Sequence, residues 1–418
     1  MPELSIIICV YNTAREYLDT CLRSITESTL AEGEGVAAAD YEILMIDDGS
    51  TVDYSDLIEK YRVRCIKTEN RGIFSARLLG IREALGDYIA FCDSDDTVSV
   101  SYHRPMLELA KSSLSDIVIN DWAFHTERSR YYCISDKTVS EDIRLEGADC
   151  LAEFVAQEGR IHSFYVLWNK LFRASLLKRV AEKAAEAQCG DERFNYSEDA
   201  LMCFFAFKWA NRVQNLHTGY YFYRIHEAQS VTVASEDKLR RQIECMGVTF
   251  RMMMENIDDH PEAERIRKSI NEWRALMSRT HYTYAVRGGY TSLYPKIKEI
   301  YGVASLRRST ARDGSGYAKN RLIGSNIEEI DGVLLSVYRG ELSRTVSTAA
   351  LDLYARRVLE NMRDTLGRVE LLPDGKTIIP REYVNLKSKI LHNKIVYKLG
   401  MLLFPKGSRI RAFLKRRL

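Results

Sequence analysis

The sequence predicts an α/β fold, with an open and mostly parallel sheet over residues 4–120 and a mainly helical region after residue 235. Apolar or β-branched runs alternate with amphipathic helical stripes, the order that builds parallel sheets with right-handed crossovers. The runs lack polar alternation, as expected for strands that helices cover on both faces. The predicted strands are Leu4–Tyr11, Tyr41–Ile46, Val63–Thr68, Asp87–Cys92 and Asp116–Asn120.

The segments between these strands carry apolar residues at helical spacing. The first stripe is Tyr17, Leu18, Cys21, Leu22 and Ile25, and the next is Phe74, Leu78, Ile81 and Leu85. A further helix is expected to begin at Ser197, with Ser197 as its N-cap, followed by an aromatic strand over Gly219–Arg224. Charged helical segments over Glu236–Asn256 and Pro261–Val286 mark a change of character near residue 235.

The composition excludes several classes of protein. Of the 418 residues 46% are hydrophobic, which is enough for a large core and argues against wholesale disorder. The 60 Lys and Arg nearly balance the 58 Asp and Glu, so net charge does not predict a nucleic-acid partner. The nine cysteines include no CxxC pair, which favours free thiols in a reducing compartment. Without a signal peptide or a membrane span, we expect a cytoplasmic protein.

Polar groups follow three of the predicted strands, where open α/β sheets bind their ligands. They are Val10-Tyr11-Asn12, then Asp47 to Thr51, then Asp93 to Asp96. Each acidic cluster alone fits a turn or a helix cap equally well. Together they place like charges in one crevice, which costs stability unless a cation or a donor-rich ligand compensates them.

Carboxylate oxygens without neighbouring His or Cys favour Mg²⁺ or Mn²⁺ over zinc. Such an ion keeps positions open for phosphate oxygens, and this predicts chemistry on a nucleotide-linked substrate. A GxxxxGK[ST] motif is absent, and no GxGxxG follows the first strand. The sequence therefore disfavours a P-loop NTPase and a dinucleotide-binding enzyme.

These motifs as a set resemble the family 2 glycosyltransferases of the GT-A fold. The matching segments are SIIICVYN at 5–12, IDDGST at 46–51, NRGIFSAR at 70–77 and GDYIAFCDSDD at 86–96. The resemblance covers residues 4–235. It implies a Rossmann-like GT-A domain over 1–235 that binds a nucleotide sugar and transfers the sugar. The charged helical segments predict a mainly helical region over 236–391, to which the sequence assigns no role.

The resemblance also implies a donor pocket. Val10, Tyr11 and Asn12 would line the uridine site, and Asp47 would accept a hydrogen bond from the base. Arg77 would brace this pocket or contact the nucleotide, the alternative being a surface ion pair.

A DxD motif is similarly implied by Asp93-Ser94-Asp95. Asp93 and Ser94 would lie near the ribose, and Asp95, with Asp93 beside it, would bind the Mn²⁺ or Mg²⁺ that bridges the diphosphate. Asp96 would be an auxiliary acid or a helix cap.

Ser197-Glu198-Asp199 resembles the family's acidic motif at the start of a helix. An inverting transfer needs a carboxylate to take the proton of the acceptor hydroxyl. Acids in a first helical turn are also favoured by the macrodipole, whatever their function. By resemblance, Asp199 is the base, and Glu198 orients it or binds the acceptor.

Two further segments resemble the acceptor and diphosphate sides of the family. Trp168 would stack on a sugar, Asn169 would bind hydroxyls and Lys170 would meet phosphate, although Trp168 fits a core position equally well. Arg224 and His226, in a Y-R-x-H segment, would donate to phosphate oxygens. A hydrogen-bonded structural histidine is the alternative for His226.

The carboxyl-terminal segment 392–418 is basic and contains no Asp or Glu, with the apolar run LGMLLF inside it. It predicts a peripheral contact with an anionic membrane surface, at the inner face of the cell membrane. A solvated helix face packed on the body and weak nucleic-acid binding are the alternatives.

The function implied by the resemblance is metal-dependent, inverting transfer of a sugar from a UDP-linked donor to a carbohydrate or lipid-linked acceptor in surface-polysaccharide assembly, with no nucleic-acid partner. One rival is a nucleotidyltransferase, whose Gly-rich basic loop after the first strand is missing here. The other is a non-catalytic module that binds sugar nucleotides or glycans.

Overall fold

The computed structural model describes residues 2–30, 40–100, 102–126, 131–134, 142–157, 159, 161–187, 193–225, 235–301, 370–371 and 377–379. His226 and the basic segment 392–418 lie outside the described residues, and so does most of the predicted helical region beyond residue 301.

The strands and helices are numbered along the chain. The strands are β1 Leu4–Val10, β2 Tyr41–Asp47, β3 Arg64–Lys67, β4 Tyr88–Phe91, β5 Thr97–Val98, β6 Ile117–Thr126, β7 Tyr131–Ile134, β8 Arg144–Glu146, β9 Lys170–Arg173, β10 Arg212–Ile225, β11 Glu370–Leu371 and β12 Thr377–Ile379. The helices are α1 Arg15–Leu30, α2 Ser55–Lys60, α3 Ile73–Glu83, α4 His103–Ser113, α5 Ala148–Ala156, α6 His162–Tyr165, α7 Ala174–Ala184, α8 Glu198–Trp209, α9 Glu236–Glu255, α10 Ala263–Gly288 and α11 Tyr294–Tyr301, with a 3₁₀ turn at Thr291–Leu293.

The chain divides into two compact units, residues 1–122 with 137–309 and residues 123–136 with 310–418. In the larger unit the sheet order is β3-β2-β1-β4-β9-β6. Strands β3, β2, β1 and β4 are parallel, whereas β9 is antiparallel to both of its neighbours. Strand β10 pairs antiparallel with β5 and β8. The predicted α/β fold with a mostly parallel sheet core is confirmed.

Among its described residues, the smaller unit contains the end of β6 together with β7, β11 and β12. Strand β7 pairs antiparallel with β6 at Ala123 and Phe124, and parallel with β12. Strand β12 pairs antiparallel with β11.

Strand β1 and helix α8 lie in the core of the larger unit. Strand β1 is buried along nearly its whole length. Helix α8 is apolar on almost every side, as expected of a helix that neighbours surround. It packs against α5, α6, α7 and α9, and α10 packs against α5 and α9. Helices α9, α10 and α11 follow residue 235, where the sequence predicted the start of a separate region. In the structure they lie in the same compact unit as the sheet.

Candidate active site

The carboxyl ends of three parallel strands meet at one edge of the sheet. Val10 at the end of β1 lies opposite Asp47 at the end of β2, and Asp48 N donates to the Val10 carbonyl at 2.8 Å. Strand β4 pairs with β1 up to Phe91, and Cys92 N donates to the Ile7 carbonyl. The acidic segments that follow β2 and β4 are therefore neighbours of the loop after β1, as predicted from the sequence.

Asn12 joins the first two of these loops. Its backbone is left-handed, with φ of 50°, a conformation that asparagine tolerates better than most residues. Asn12 Oδ1 accepts from Thr51 N at 2.9 Å and from Thr51 Oγ1 at 3.0 Å, while Asn12 N donates to Ser50 Oγ at 3.0 Å. Beside it, Val10 is buried and the Tyr11 side chain is 55% exposed. Tyr11 thus presents an aromatic surface at the sheet edge.

The two acids at the end of β2, Asp47 and Asp48, have different hydrogen-bond partners. Asp47 is buried, its Oδ1 accepts from Ser50 N at 2.8 Å, and its Oδ2 lies 3.5 Å from Lys67 Nζ. Asp48 accepts from the backbone N–H groups of Arg71 and Gly72, each at 2.7 Å. Asp48 therefore fixes the loop that leads into α3. Sequence reasoning did not assign it a role, although its position beside Asp47 was the available signal.

The loop before α3 also touches the segment that leads into α8. Gly72 has φ of 92°, and a Cβ built there would lie 2.3 Å from Asn195 Oδ1, so only glycine fits this close approach. Arg193 Nη2 donates to the Asn70 carbonyl at 2.7 Å. The residues that precede Glu198 and Asp199 are thereby fastened to the sheet edge.

Arg77 connects the acid after β4 with the two acids at the start of α8. Its side chain is 6% exposed. Nη1 donates to Glu198 Oε1 at 2.8 Å and to Asp199 Oδ1, and Nη2 lies 3.3 Å from Asp93 Oδ1. The alternative for Arg77, a surface ion pair, is not what the structure contains, because the guanidinium is buried among three carboxylates. Its contact with a nucleotide stays a prediction.

Two of these three carboxyls have raised pKa values. Burial raises the pKa of Glu198 to about 7, with Asp199 adding to the rise and Arg77 opposing it. Burial also raises the pKa of Asp93 to about 6, against the opposing effect of Arg77 and with further contributions from Asp95 and Asp199. Burial alone would lower the pKa of Arg77, but the three carboxylates hold it above its usual value. Perturbed acids of this kind cluster at functional sites.

The segment after β4 is anchored by a buried acid. Asp96 Oδ2 accepts from the Tyr221 hydroxyl at 2.8 Å, and Asp96 Oδ1 accepts from Arg224 N at 2.7 Å. The Tyr221 oxygen in turn accepts from Asp93 N at 3.0 Å. Asp96 therefore acts as a structural anchor for the turn that carries Asp93 and Asp95.

Arg224 lies beside this turn. Its Nε donates to the Asp95 carbonyl at 2.8 Å, and its guanidinium sits 4.5 Å from the centre of the Tyr17 ring. The Ser94 and Thr13 hydroxyl oxygens are 2.7 Å apart, which ties the turn to the loop after β1. Asp95 is partly exposed. The predicted donor-side residues Ser94, Asp95 and Arg224 thus lie together.

The described ranges contain no group of three or more His, Cys, Asp or Glu side chains that would hold a metal by itself. Asp93 and Asp95 supply hard oxygen atoms, and their mutual repulsion contributes to the raised pKa of Asp93. Such a pair fits Mg²⁺ or Mn²⁺ when a ligand's phosphate oxygens complete the coordination.

The predicted acceptor segment lies in the core of the protein. Trp168 is buried and stacks on Tyr221 and Tyr223, with ring centres 4.5 and 5.7 Å apart. Asn169 Nδ2 donates to the Asn120 carbonyl at 3.2 Å, and Lys170 Nζ donates to Asn169 Oδ1 at 2.9 Å. Burial lowers the pKa of Lys170 to about 8. The roles of these residues toward an acceptor stay predictions.

Helix α8 begins differently from the sequence expectation. Ser197 occupies the capping position, but its side chain makes no capping hydrogen bond and its φ is 62°. Glu198 is buried with its side chain 10% exposed, whereas the Asp199 side chain is 20% exposed. Asp199 is therefore the more accessible of the two acids.

Comparisons with known proteins agree with this arrangement. The family model described as "Glycosyl transferase family 2" matches residues 5–180. The "Putative glycosyltransferase EpsH" of Bacillus subtilis is 32% identical over 233 residues, which cover 54% of this chain and 61% of that protein. The "Cholesterol galactosyltransferase" of Borreliella burgdorferi is 30% identical over 190 residues, 42% of this chain and 49% of that protein. The chain thus spans about half to three fifths of the length of these relatives.

Among solved structures, residues 1–349 of S. aureus TarS in complex with UDP-GlcNAc superimpose with a TM-score of 0.50 at 19% identity. The superposition covers 72% of this chain and 79% of that one. At this level of identity the likeness concerns the fold.

Proposed function

We propose that this chain, whose residues 5–180 match the model of glycosyl transferase family 2, transfers a sugar from a UDP-linked donor to a hydroxyl of a carbohydrate or lipid-linked acceptor. The observation that carries the proposal is the bridge from Arg77 to Asp93, Glu198 and Asp199. It joins the acid expected at the donor to the acids expected at the acceptor. A reaction between the two substrates requires that these groups share one site.

The donor side is the edge formed by the loops after β1, β2 and β4. The exposed Tyr11 ring is available to stack on a uracil base, and the fixed Asn12 and Asp47 loops give the pocket a rigid wall. The complexes of TarS with UDP-GlcNAc and with UDP support a uridine nucleotide as the donor class.

The residues on this edge fit a divalent cation. Asp95, with Asp93 beside it, would hold Mn²⁺ or Mg²⁺ together with the diphosphate oxygens. When bound, such an ion neutralises negative charge on the departing diphosphate. The Arg224 guanidinium, held at the Asp95 carbonyl, adds positive charge near the same place.

Asp199 takes the role of general base. As the acceptor oxygen attacks the anomeric carbon, its proton passes to Asp199, the new carbon–oxygen bond forms, and the bond to the diphosphate breaks on the opposite side. UDP then leaves and the configuration inverts. Arg77 donates to both Asp199 and the more buried Glu198, and this shared guanidinium fixes the position of Asp199.

The acceptor class is proposed to include lipid-linked glycans of surface-polysaccharide assembly. A relative named as a cholesterol galactosyltransferase supports a lipid-borne acceptor, and the basic segment 392–418 supports a peripheral contact with an anionic membrane. Within the described ranges, the structure holds no helix with the length and apolar character needed to cross a bilayer.

The proposal is tested with the full chain, a panel of UDP-sugars and Mn²⁺, with EDTA as the metal-free arm, by measuring release of UDP. Asp199→Asn is expected to bind UDP like the wild type and to lose about 10²–10⁴-fold in turnover. Asp237→Asn is the matched control, because Asp237 also stands in the first turn of a long helix but pairs with Arg240 and Arg241. Release of pyrophosphate would indicate a nucleotidyltransferase, and binding without turnover across the panel would indicate a binding module.

A further inference from the structure

Ser197 carries an unusual backbone at the point where the acidic pair begins. Its φ of 62° lies in the left-handed region, which residues other than glycine rarely adopt. Such a conformation persists only where the surrounding structure determines it, and it is concentrated at functional sites. Because Ser197 immediately precedes Glu198, its dihedral angles set the direction in which both acids leave the chain.

Helix α9 supplies the contacts that hold Ser197. Ser197 Oγ lies 2.7 Å from Thr249 Oγ1 and 2.5 Å from the carbonyl oxygen of Tyr196. Thr249 is fully buried, and its hydroxyl is also within 3.2 Å of the Cys245 carbonyl one turn earlier in α9. This hydroxyl is therefore fixed within α9 while it contacts a residue that belongs to the site.

The opposite side of the same segment is closed by the loop before α3. Asn195 lies against Gly72, and Arg193 binds the Asn70 carbonyl. The segment 193–197 is thus held between the sheet edge and α9. The sequence motifs end before α9 begins, and nothing in them assigns that helix a part in the reaction.

We infer that Thr249 is a positioning residue, whose hydroxyl keeps Ser197 left-handed and thereby presents Glu198 and Asp199 to Arg77 and to the acceptor. The inference rests on the proposed transfer reaction. It gives the helical layer after residue 235 a share in catalysis, although Thr249 itself touches no substrate.

The test compares Thr249→Val, which removes the hydroxyl at constant shape, with Thr249→Ser, which retains it. Thr280→Val is the control, because the Thr280 hydroxyl in α10 also donates to the carbonyl four residues earlier but, within the described part of the chain, forms no hydrogen bond with a site residue. With the UDP-sugar that the wild type hydrolyses, Thr249→Val is expected to lower kcat about 10- to 100-fold, the scale of a misplaced catalytic group. The donor Kd should change less than about twofold, since Tyr11 and Asp95 remain in place. Thr249→Ser should restore kcat.

A second pair of variants keeps the inference testable if Thr249→Val does not fold. Ser197→Gly adopts the left-handed backbone without strain, whereas Ser197→Ala retains the strain and loses the anchor. The expected order of kcat is wild type, then Ser197→Gly, then Ser197→Ala. Equal kcat for Thr249→Val and Thr280→Val, or Ser197→Ala as active as Ser197→Gly, would overturn the positioning role. Absence of turnover in the wild type would instead overturn the proposed function.

Discussion

Replacing Arg77 with methionine removes the guanidinium that lies among three carboxylates and leaves a side chain of similar length. Asp93, Glu198 and Asp199 then face one another without a compensating cation. Breaking a buried ion pair by removing one partner costs about 3–5 kcal/mol. Even with Arg77 present, ionising Glu198, whose pKa rises from 4.5 to about 7, costs on the order of 3 kcal/mol.

The cost must depend on pH, and the sign follows from the raised pKa values. Folded Asp93 and Glu198 hold protons to about pH 6 and 7, whereas the unfolded chain releases them near pH 4. The folded state therefore binds more protons in this window, and stability falls as the pH rises through it. Without Arg77 both pKa values rise further, so the deficit of Arg77→Met should be about 3 kcal/mol at pH 8 and about 1 kcal/mol at pH 5.5.

Urea unfolding followed by circular dichroism at these two pH values measures the difference. Arg82→Met is the matched control, because Arg82 lies in the same helix but is exposed and pairs only with the neighbouring Glu83 among the described contacts. A surface pair of this kind contributes at most about 1 kcal/mol at either pH. An Arg77→Met deficit that is the same at pH 5.5 and pH 8 would refute the electrostatic argument, as would a deficit no larger than that of Arg82→Met.

Two further predictions concern the loop before α3 and the basic carboxyl-terminal segment. Gly72→Ala should lower the free energy of unfolding by about 2 kcal/mol, because φ is 92° and the new Cβ meets Asn195. Gly147→Ala is the control for the backbone contribution to this loss, because Gly147 has φ of 54° and open space where a Cβ would lie. Equal losses for the two variants in urea unfolding would show that the Asn195 contact is unimportant. Deleting residues 392–418 should abolish sedimentation with phosphatidylserine-containing liposomes at about 0.1 M salt. Neutral liposomes should sediment neither the full chain nor the truncated one. Unchanged sedimentation of the truncated protein would exclude the segment as the membrane contact.

The parallel part of the sheet was readable from the sequence because its strands are continuous apolar runs. The predicted Leu4–Tyr11 and Tyr41–Ile46 each differ from the observed strand by one residue at the carboxyl end. Strand β6 continues to Thr126 instead of ending at Asn120, and β10 begins at Arg212, before the aromatic run. Strands β5 and β8 are two and three residues long and exist through their pairing with β10, so no local pattern reveals them.

The sequence predicted individual residues of the site but not the contacts between them. The sequence indicated Arg77, Asp93, Glu198 and Asp199 as candidates, but their meeting depends on where the tertiary fold places α3, the turn after β4 and the start of α8, and no spacing encodes it. Ser197 was expected to cap α8 by local propensity. Tertiary contacts override that propensity, since the hydroxyl is drawn toward Thr249 and the backbone turns left-handed.

Residues 193–197 are held between the loop before α3 and helix α9. This arrangement has a consequence for the order in which the site forms during synthesis. Gly72 is synthesised long before Thr249. A nascent chain that already contains every motif named above therefore still lacks the contact from α9. In such a chain Ser197 lacks its contact with Thr249, so the proposed positioning of Glu198 and Asp199 is expected to await the formation of α9.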